Sequence, residues 1–255
     1  MAEAHGHLLI LAATDLEVAP LRGLLVGASR DERWPFATHG SLEGAAVTIA
    51  SAGIGKANTA AALATLITLA ATAGSIAGTK PAGRPAIMQL GIAGAYPGAG
   101  LLPGSAAVAS SEFDLDLGAG RGDQWRGLES IGIGALPGAG LSNCLDLDPS
   151  LVAVVSSGSG VPSAAFATSD NVTADRPTAA QLADRHGVQV ESMEGVAGAQ
   201  VAAAFGLPFV ELRGISNEVG DRDRRNWLIA EAVAAACEAA LESLAPLLRH
   251  LATAA

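Results

Sequence analysis

The chain repeatedly passes from a short apolar run through a glycine-rich or polar turn into a helix-forming segment, and this alternation limits its fold more than any other feature. His7 to Ala13 (HLLILAA) has strand length and no polar interruption, as a strand buried on both faces requires. Thr14 or Asp15 can cap the helix that follows, in which Leu16, Ala19 and Leu24 are expected to form the apolar face. Ala45 to Ser51 is a second strand, leading through Gly53 and Gly55 into a helix over about Ala57 to Ala73. That helix is nearly all apolar or small and should be buried on most sides. Pro85 to Leu90 is a third strand, opening into a loop at Gly91-Ile92-Ala93-Gly94-Ala95, and Gly104 to Ser110 a fourth. Asp148 and Pro149 start a helix, and Pro162 to Thr168 makes a strand ending in Ser169-Asp170-Asn171-Val172. A helix from Asp175 to Arg185 stops at Gly187, and an amphipathic helix runs from Trp227 to about Leu251. No repeat and no linker cuts the chain, so the reading is one α/β domain over residues 1–255, a three-layer α/β/α arrangement around a central mixed sheet. Residues 111–148, interrupted by many glycines from Gly118 to Gly140, are expected to be a long surface excursion.

Composition removes several function classes. With 25 acidic against 15 basic residues the formal charge is −10 and no basic cluster occurs, which disfavours a nucleic-acid partner. Two charge-free runs resemble membrane spans in length alone. Ala57 to Thr79 is mostly Ala with Asn58 and several threonines, and Pro85 to Ser111 is broken by Pro97, Pro103 and many glycines, so no membrane partner is expected. No basic region precedes the first apolar residues, so no secretory signal is evident. The two cysteines, Cys144 and Cys237, lack metal-ligand spacing, and a reduced cytoplasmic protein is the simplest account.

The chemistry concentrates between Val188 and Glu231. A short apolar strand meets Glu191 and Glu194, a helix of small residues ends at Gly206-Leu207-Pro208, and a strand from Phe209 to Ile215 opens into Ser216-Asn217-Glu218. Arg213, Asn217, Asp221 and Asp223 therefore crowd the carboxyl end of a strand, where open α/β sheets bind ligands. Glycine loops at Ser51 to Asn58 and Gly91 to Gly94 can supply the other walls. The dinucleotide fingerprint fails because Asn58 replaces its third glycine, and the P-loop fails because Ala50 and Ala57 stand at required positions. No G-x-S-x-G occurs, none of the five histidines is placed as a base, and no cluster has zinc spacing, so neither metal nor cofactor is expected. Carboxylates at Glu17, Glu191 and Glu194, the guanidinium of Arg213 and the amide of Asn217 suit cleavage of a glycosidic bond through an oxocarbenium-like transition state. From the residues alone Glu17 is equally served by the helix dipole, and that reading comes first.

The run Ser192-Met193-Glu194-Gly195-Val196-Ala197, with Leu207-Pro208-Phe209 and Leu212-Arg213-Gly214-Ile215-Ser216-Asn217, resembles the nucleoside phosphorylase/nucleosidase superfamily. Ser51 to Asn58 and Gly91-Ile92-Ala93-Gly94 are similar to the corresponding loops of methylthioadenosine/S-adenosylhomocysteine nucleosidases. The resemblance spans nearly the whole chain. It implies that Glu17 orients and deprotonates a water, that Arg213 helps hold it, and that Met193 packs on the ribose. It further implies that Glu194 grips the ribose hydroxyls, that the backbone near Val172 lines the base pocket, and that Ser51, Ile92, Ala93 and Gly94 complete the binding walls. Adenine nucleosidases carry aspartate where this chain has Asn217. An amide can donate to O6 and N7 of a 6-oxopurine, whereas an ionised carboxylate would repel O6. Gly220-Asp221-Arg222-Asp223-Arg224 with Trp227 resembles the futalosine hydrolase family, which implies release of hypoxanthine from futalosine in menaquinone biosynthesis. Asp221 or Asp223 could serve as the general acid, or could instead pair with neighbouring arginines in a surface loop. Trp227, Arg222 and Arg224 could meet the acyl-benzoate group that futalosine would carry. A 6-oxopurine phosphorylase, an adenine nucleosidase of relaxed specificity and a non-catalytic nucleoside binder are the rivals. The superfamily resemblance implies a homodimer or larger homo-oligomer acting on a small purine nucleoside.

Overall fold

The computed structural model describes residues 7–76, 85–137 and 140–254. The strands are β1 (Leu8–Ala12), β2 (Val26–Arg30), β3 (Ala37–Leu42), β4 (Ala45–Ser51), β5 (Ala86–Ala95), β6 (Ala106–Asp114), β7 (Cys144–Asp146), β8 (Ser163–Thr168), β9 (Val190–Ser192) and β10 (Phe209–Glu218). The helices are α1 (Asp15–Arg22), α2 (Lys56–Ile76), α3 (Leu128–Ile131), α4 (Pro149–Ser159), α5 (Arg176–His186), α6 (Gly195–Phe205) and α7 (Ile229–Ala254). The last residues of the apolar run that begins at Ala57 and Gly138 of the glycine-rich region lie outside the described residues.

The strands form one mixed sheet flanked by helices, as the sequence reading expects. β1 lies parallel between β4 and β5, and β5 is parallel to β10. β10 pairs antiparallel with β6, β6 parallel with β8, β8 parallel with β9, and β9 antiparallel with β5. Those last five strands therefore close on themselves, and the antiparallel β2–β3–β4 ribbon extends the sheet beyond β1. Closure follows from length: the ten-residue strands β5 and β10 reach far enough to pair with partners on both sides. The core is the near-continuous apolar content of β1, β4, β5 and β6 with the inward stripes of α2, α4 and α7.

Several expectations need correction. Gly91 to Gly94 is not a loop: β5 continues through it in register with β10, Arg213 beside Gly91 and Asn217 beside Gly94. Ser216-Asn217-Glu218 likewise belongs to β10, after a bulge between Ile215 and Asn217. Glycine in place of larger residues lets a neighbouring strand's side chains cross over the backbone without ending the ladder. In α1 the buried residues are Glu17, Val18 and Leu21, whereas Leu16 and Leu24 are 61% and 52% exposed. The inward stripe of α1 includes a charged residue, Glu17, so hydrophobic periodicity alone points to the opposite face. Residues 111–148 are not wholly an excursion, since β6 runs to Asp114 and β7 pairs back onto it at Ser111 to Phe113. The β2–β3 hairpin has no apolar run to mark it in the sequence, since every residue of β2 is exposed. Both cysteines are free thiols.

α7 crosses β10 closely at Gly214, where an added Cβ would stand 1.8 Å from the Ala232 carbonyl oxygen. Neither backbone can retreat without breaking sheet or helix. Gly214→Ala is therefore expected to lower stability by about 3 kcal/mol, the upper part of the range for overpacking, read as a fall in the urea midpoint with unchanged slope.

Candidate active site

Two strand ends and one helix start bring the charged groups together. Glu17 sits in the first turn of α1, directly after β1, and completes a capping box there: its Oε2 accepts from the Thr14 amide at 2.8 Å and the Thr14 hydroxyl at 2.7 Å. Oε1 accepts from the Ile92 amide of β5 at 2.9 Å. The carboxylate is thus aimed across the sheet and held there by three donors. A Cβ on Gly91 would lie 2.7 Å from Glu17 Oε1 and 2.4 Å from Arg213 Nη1, so the two side chains converge over a position that only glycine leaves open.

Arg213, on the neighbouring strand, is 1% exposed. Its Nε donates to Glu211 Oε1 at 2.7 Å, while Nη1 lies 3.2 Å from Glu194 Oε2 and donates to the Ile92 carbonyl at 3.3 Å. Burial opposes its charge, but Glu211, Glu194 and Glu17 outweigh that and hold its pKa above the ordinary arginine value. Glu194 stands at the N-terminus of α6, and its second oxygen accepts from the Gly55 amide at 3.0 Å. The glycine loop after β4 therefore reaches the acidic centre through its backbone; Gly53 and Gly55 have φ of +95° and +94°.

Asn217 is buried further along β10, opposite Gly94. Its Oδ1 accepts from the Ser216 hydroxyl at 2.7 Å and its Nδ2 donates to the Glu218 carbonyl at 2.8 Å, leaving the second amide hydrogen uncommitted among the described residues. Ile92, Ala93 and Gly94 are the adjoining residues of β5. Met193 and Val172 are half-buried, on the β9–α6 and β8–α5 connections. Ser51 is buried at the end of β4, but its hydroxyl donates to Asp15, which also pairs with Arg22. Glu191 accepts from the Tyr96 hydroxyl and from both the amide and hydroxyl of Thr173, tying β9 to β5 and to the loop after β8.

A profile of the Phosphorylase superfamily matches residues 7–253. The futalosine hydrolase of Thermus thermophilus is 33% identical over 237 residues, covering 93% of this chain and 95% of that protein. The chain belongs to the futalosine hydrolase family of the phosphorylase superfamily. The futalosine hydrolase of Streptomyces coelicolor is 37% identical over 171 residues, 65% of this chain and 68% of that protein. Among solved structures, a 5'-methylthioadenosine/S-adenosylhomocysteine nucleosidase from Colwellia psychrerythraea 34H in complex with adenine matches with a TM-score of 0.76 at 22% identity, over 95% of this chain and 96% of that one. That match carries the fold alone.

In this member of the family, Asp221 and Asp223 are committed within their own turn. Asp221 accepts from Asn226 and from the Asp223 amide, and Asp223 pairs with Arg225. The Asn226 amide and the Arg225 guanidinium, respectively, lead the interactions that hold these two carboxyls below the ordinary aspartate value. Arg222 and Arg224 lie over the Trp227 ring at 5.1 and 5.9 Å, and neither forms an ion pair among the described residues. The Trp227 indole donates to the Asp221 carbonyl, and the Leu228 amide donates to the Ser216 carbonyl, which fixes this stack next to Asn217.

The sequence reading missed a clamp around Lys56. Its ammonium lies 2.9 Å from Asp114 and 2.8 Å from Asp116, and its amide donates to Asp170. The glycine loop is thereby joined to the end of β6 and to the loop after β8. Burial alone would raise the Asp116 carboxyl, but hydrogen bonds from Lys56, the Asp170 amide and Ser169 outweigh it and lower its pKa from 3.8. A carboxyl lowered in the folded state contributes stability that is fully present above 3.8 and is lost as pH falls below it. Lys56→Met is therefore expected to cost about 1 kcal/mol at neutral pH, with the difference from wild type shrinking in acid unfolding curves below that value.

Proposed function

We propose that the protein hydrolyses the N-glycosidic bond of a 6-oxopurine nucleoside, futalosine, and releases hypoxanthine, a step of menaquinone biosynthesis. Family membership supports the substrate, and the convergence of Glu17 and Arg213 over Gly91 supports the reaction. In this reading Glu17 is the base for water. Its Oε2 is filled by two donors from Thr14, while Oε1 accepts, among the described residues, from the Ile92 amide alone and keeps a lone pair for a further donor. Arg213 Nη2, buried with no acceptor among the described residues, offers a donor to the same water. Abstraction of the water proton by Glu17 as the C–N bond breaks forms the new C–O bond at the anomeric carbon, while the purine departs with the C–N electron pair, its charge met by the Asn217 hydrogen bond, and takes its proton from solvent. Glu194 binds the ribose hydroxyls and its charge favours the oxocarbenium ion, with Met193 packed on the sugar. Asn217 donates its uncommitted amide hydrogen to the purine, and Val172, Ser51, Ile92, Ala93 and Gly94 line the pocket. Asp221 and Asp223 are assigned to shaping the loop, because hydrogen bonds favouring their ionised forms make them poor proton donors.

The charge balance favours water over phosphate. Three carboxylates, Glu17, Glu194 and Glu211, interact with the single guanidinium of Arg213. An incoming phosphate would meet net negative charge, whereas a cationic sugar would be stabilised.

Chromatographic measurement of base release tests this reading. Futalosine should yield hypoxanthine at the same rate with and without phosphate, and Glu17→Ala should lower kcat on the order of 10²–10⁴-fold. Asn217→Asp should lower turnover of futalosine and inosine while raising the relative rate on methylthioadenosine. Release that depends on phosphate would move the protein to the phosphorylases.

The stack of Arg222 and Arg224 on Trp227 supports a second assignment, contact with the carboxylated substituent of futalosine. The double variant Arg222→Ala, Arg224→Ala should raise KM for futalosine about 10-fold or more, as loss of a charge-assisted contact implies, and leave KM for inosine in place. Equal effects on both substrates would remove the assignment.

A further inference from the structure

Beneath the candidate site lies a second pair of acids that the mechanism above does not use. Glu112 on β6 and Glu211 on β10 are both fully buried, under the N-terminal turns of α6, and their carboxyls are within hydrogen-bonding reach of each other. A Cβ on Gly195 would fall 2.4 Å from Glu112 Oε2, so this helix sits directly on the pair. The donors around them are few, and the buried amide of Gln89, opposite Glu211 in the β5–β10 register, makes no hydrogen bond among the described residues. The Val196 amide donates to the Thr168 hydroxyl oxygen at 2.8 Å, and the Thr168 hydroxyl donates in turn to Glu112 Oε2 at 3.1 Å. Glu211 Oε1 accepts from Arg213 Nε at 2.7 Å. One oxygen of each acid, Glu112 Oε1 and Glu211 Oε2, has no donor among the described residues. Glu112 has no cation of its own, since Arg213 pairs with Glu211 and Glu194, so beside Glu211 it is the acid whose ionised form burial and like charge oppose most, and a proton on it would serve both unfilled oxygens.

We infer that Glu112 is a neutral carboxylic acid that donates a hydrogen bond from Oε1 to Glu211 Oε2, and that the pair acts as a positioning element for Arg213. Desolvation, then the charge of Glu211, raises the Glu112 pKa, in agreement with that assignment. Glu211 thereby keeps the negative charge that holds Arg213 Nε, and the rest of the guanidinium stays turned towards Glu194 and the Ile92 carbonyl. Its effect on turnover rests on the function proposed above; the protonation state does not.

The two parts are read separately. Difference infrared spectroscopy at neutral pH, wild type minus Glu112→Gln, should show the carbonyl stretch of a protonated, deuterium-sensitive carboxylic acid. Absence of that band overturns the protonation assignment whatever the enzyme's substrate is. In base release, Glu211→Gln should lower kcat on the order of 10²-fold with KM for the nucleoside nearly constant, as misplacement of a catalytic group by a supporting residue does. Glu112→Gln, whose amide still donates to Glu211, should recover most of the kcat that Glu112→Leu loses. Equal losses in Glu112→Gln and Glu112→Leu, or a KM effect in place of a kcat effect for Glu211→Gln, would overturn the positioning role. Should Glu211→Gln fail to fold, the infrared band and the Glu112 pair of variants still decide.

Discussion

A guanidinium at 1% exposure is the constraint from which the rest of the site follows. Removing an arginine from water is costly unless its charge and its donors are met, and truncating either side of such a pair leaves an uncompensated buried charge. Arg213 is met by Glu211 on its own strand, by Glu194 at the start of α6 and by the carbonyl of Ile92 on β5. Those contacts fix three elements at once. β10 cannot slip along β5 without carrying the charge away from its acceptors, and α6 cannot shift without moving Glu194. Glycine is required where the side chains cross: at Gly91 under Arg213 and Glu17, and at Gly195 over Glu112. The same contacts that satisfy the buried charge also aim it, so stability and site geometry share one set of interactions.

The sign of the site matters as much as its shape. With the chain at −10 and its central cation surrounded by carboxylates, the protein offers little attraction to a free anion. A substrate that develops positive charge on the sugar while its base leaves fits this field. In the proposed function neutral donors would carry recognition of the base, and an amide at position 217 offers an N–H that an ionised carboxylate lacks. The two guanidiniums on Trp227 are the exception, and they lie at the edge, beyond the acidic centre.

Much of this was legible in the order of residues, for identifiable reasons. Strand-length apolar runs marked β1, β4 and β8, and Asp148, Gly187 and Gly206 marked helix ends because caps and left-handed turns depend on a few residue types. Period-two alternation also places Glu211 and Arg213 on one face of β10, a signal present in Val210-Glu211-Leu212-Arg213 but not drawn from it. Other features had no local signature. Lys56 meets Asp114 and Asp116 from 58 and 60 residues away, and only the closed sheet brings them together. Gly91 to Gly94 read as a loop because glycine usually ends strands; here it marks where a neighbouring side chain crosses one. Glu17 turned the expected helix face outward because a buried carboxylate, held by its own cap and by Ile92, outranks the hydrophobic stripe.

The bulge in β10 shows how small a change such a site depends on. Up to Ile215 the strand runs beside β5 residue for residue, Ile215 opposite Ala93; the next partner of Gly94 is Asn217, and Ser216 is the inserted residue. Without the insertion Ser216 would stand beside Gly94, and the amide would move one place along and to the other face. With it, Asn217 Nδ2 lies at ordinary contact distance, 3.4 Å, from where a Gly94 Cβ would be, while Val219 Cγ2, at 2.9 Å, is the atom that position 94 must leave room for. The extra residue is not idle, since the Ser216 hydroxyl spans the Ala93 carbonyl and Asn217 Oδ1 and fixes which end of the amide points onward. The inserted serine thus sets both where the Asn217 amide falls along β10 and which face of the strand carries it.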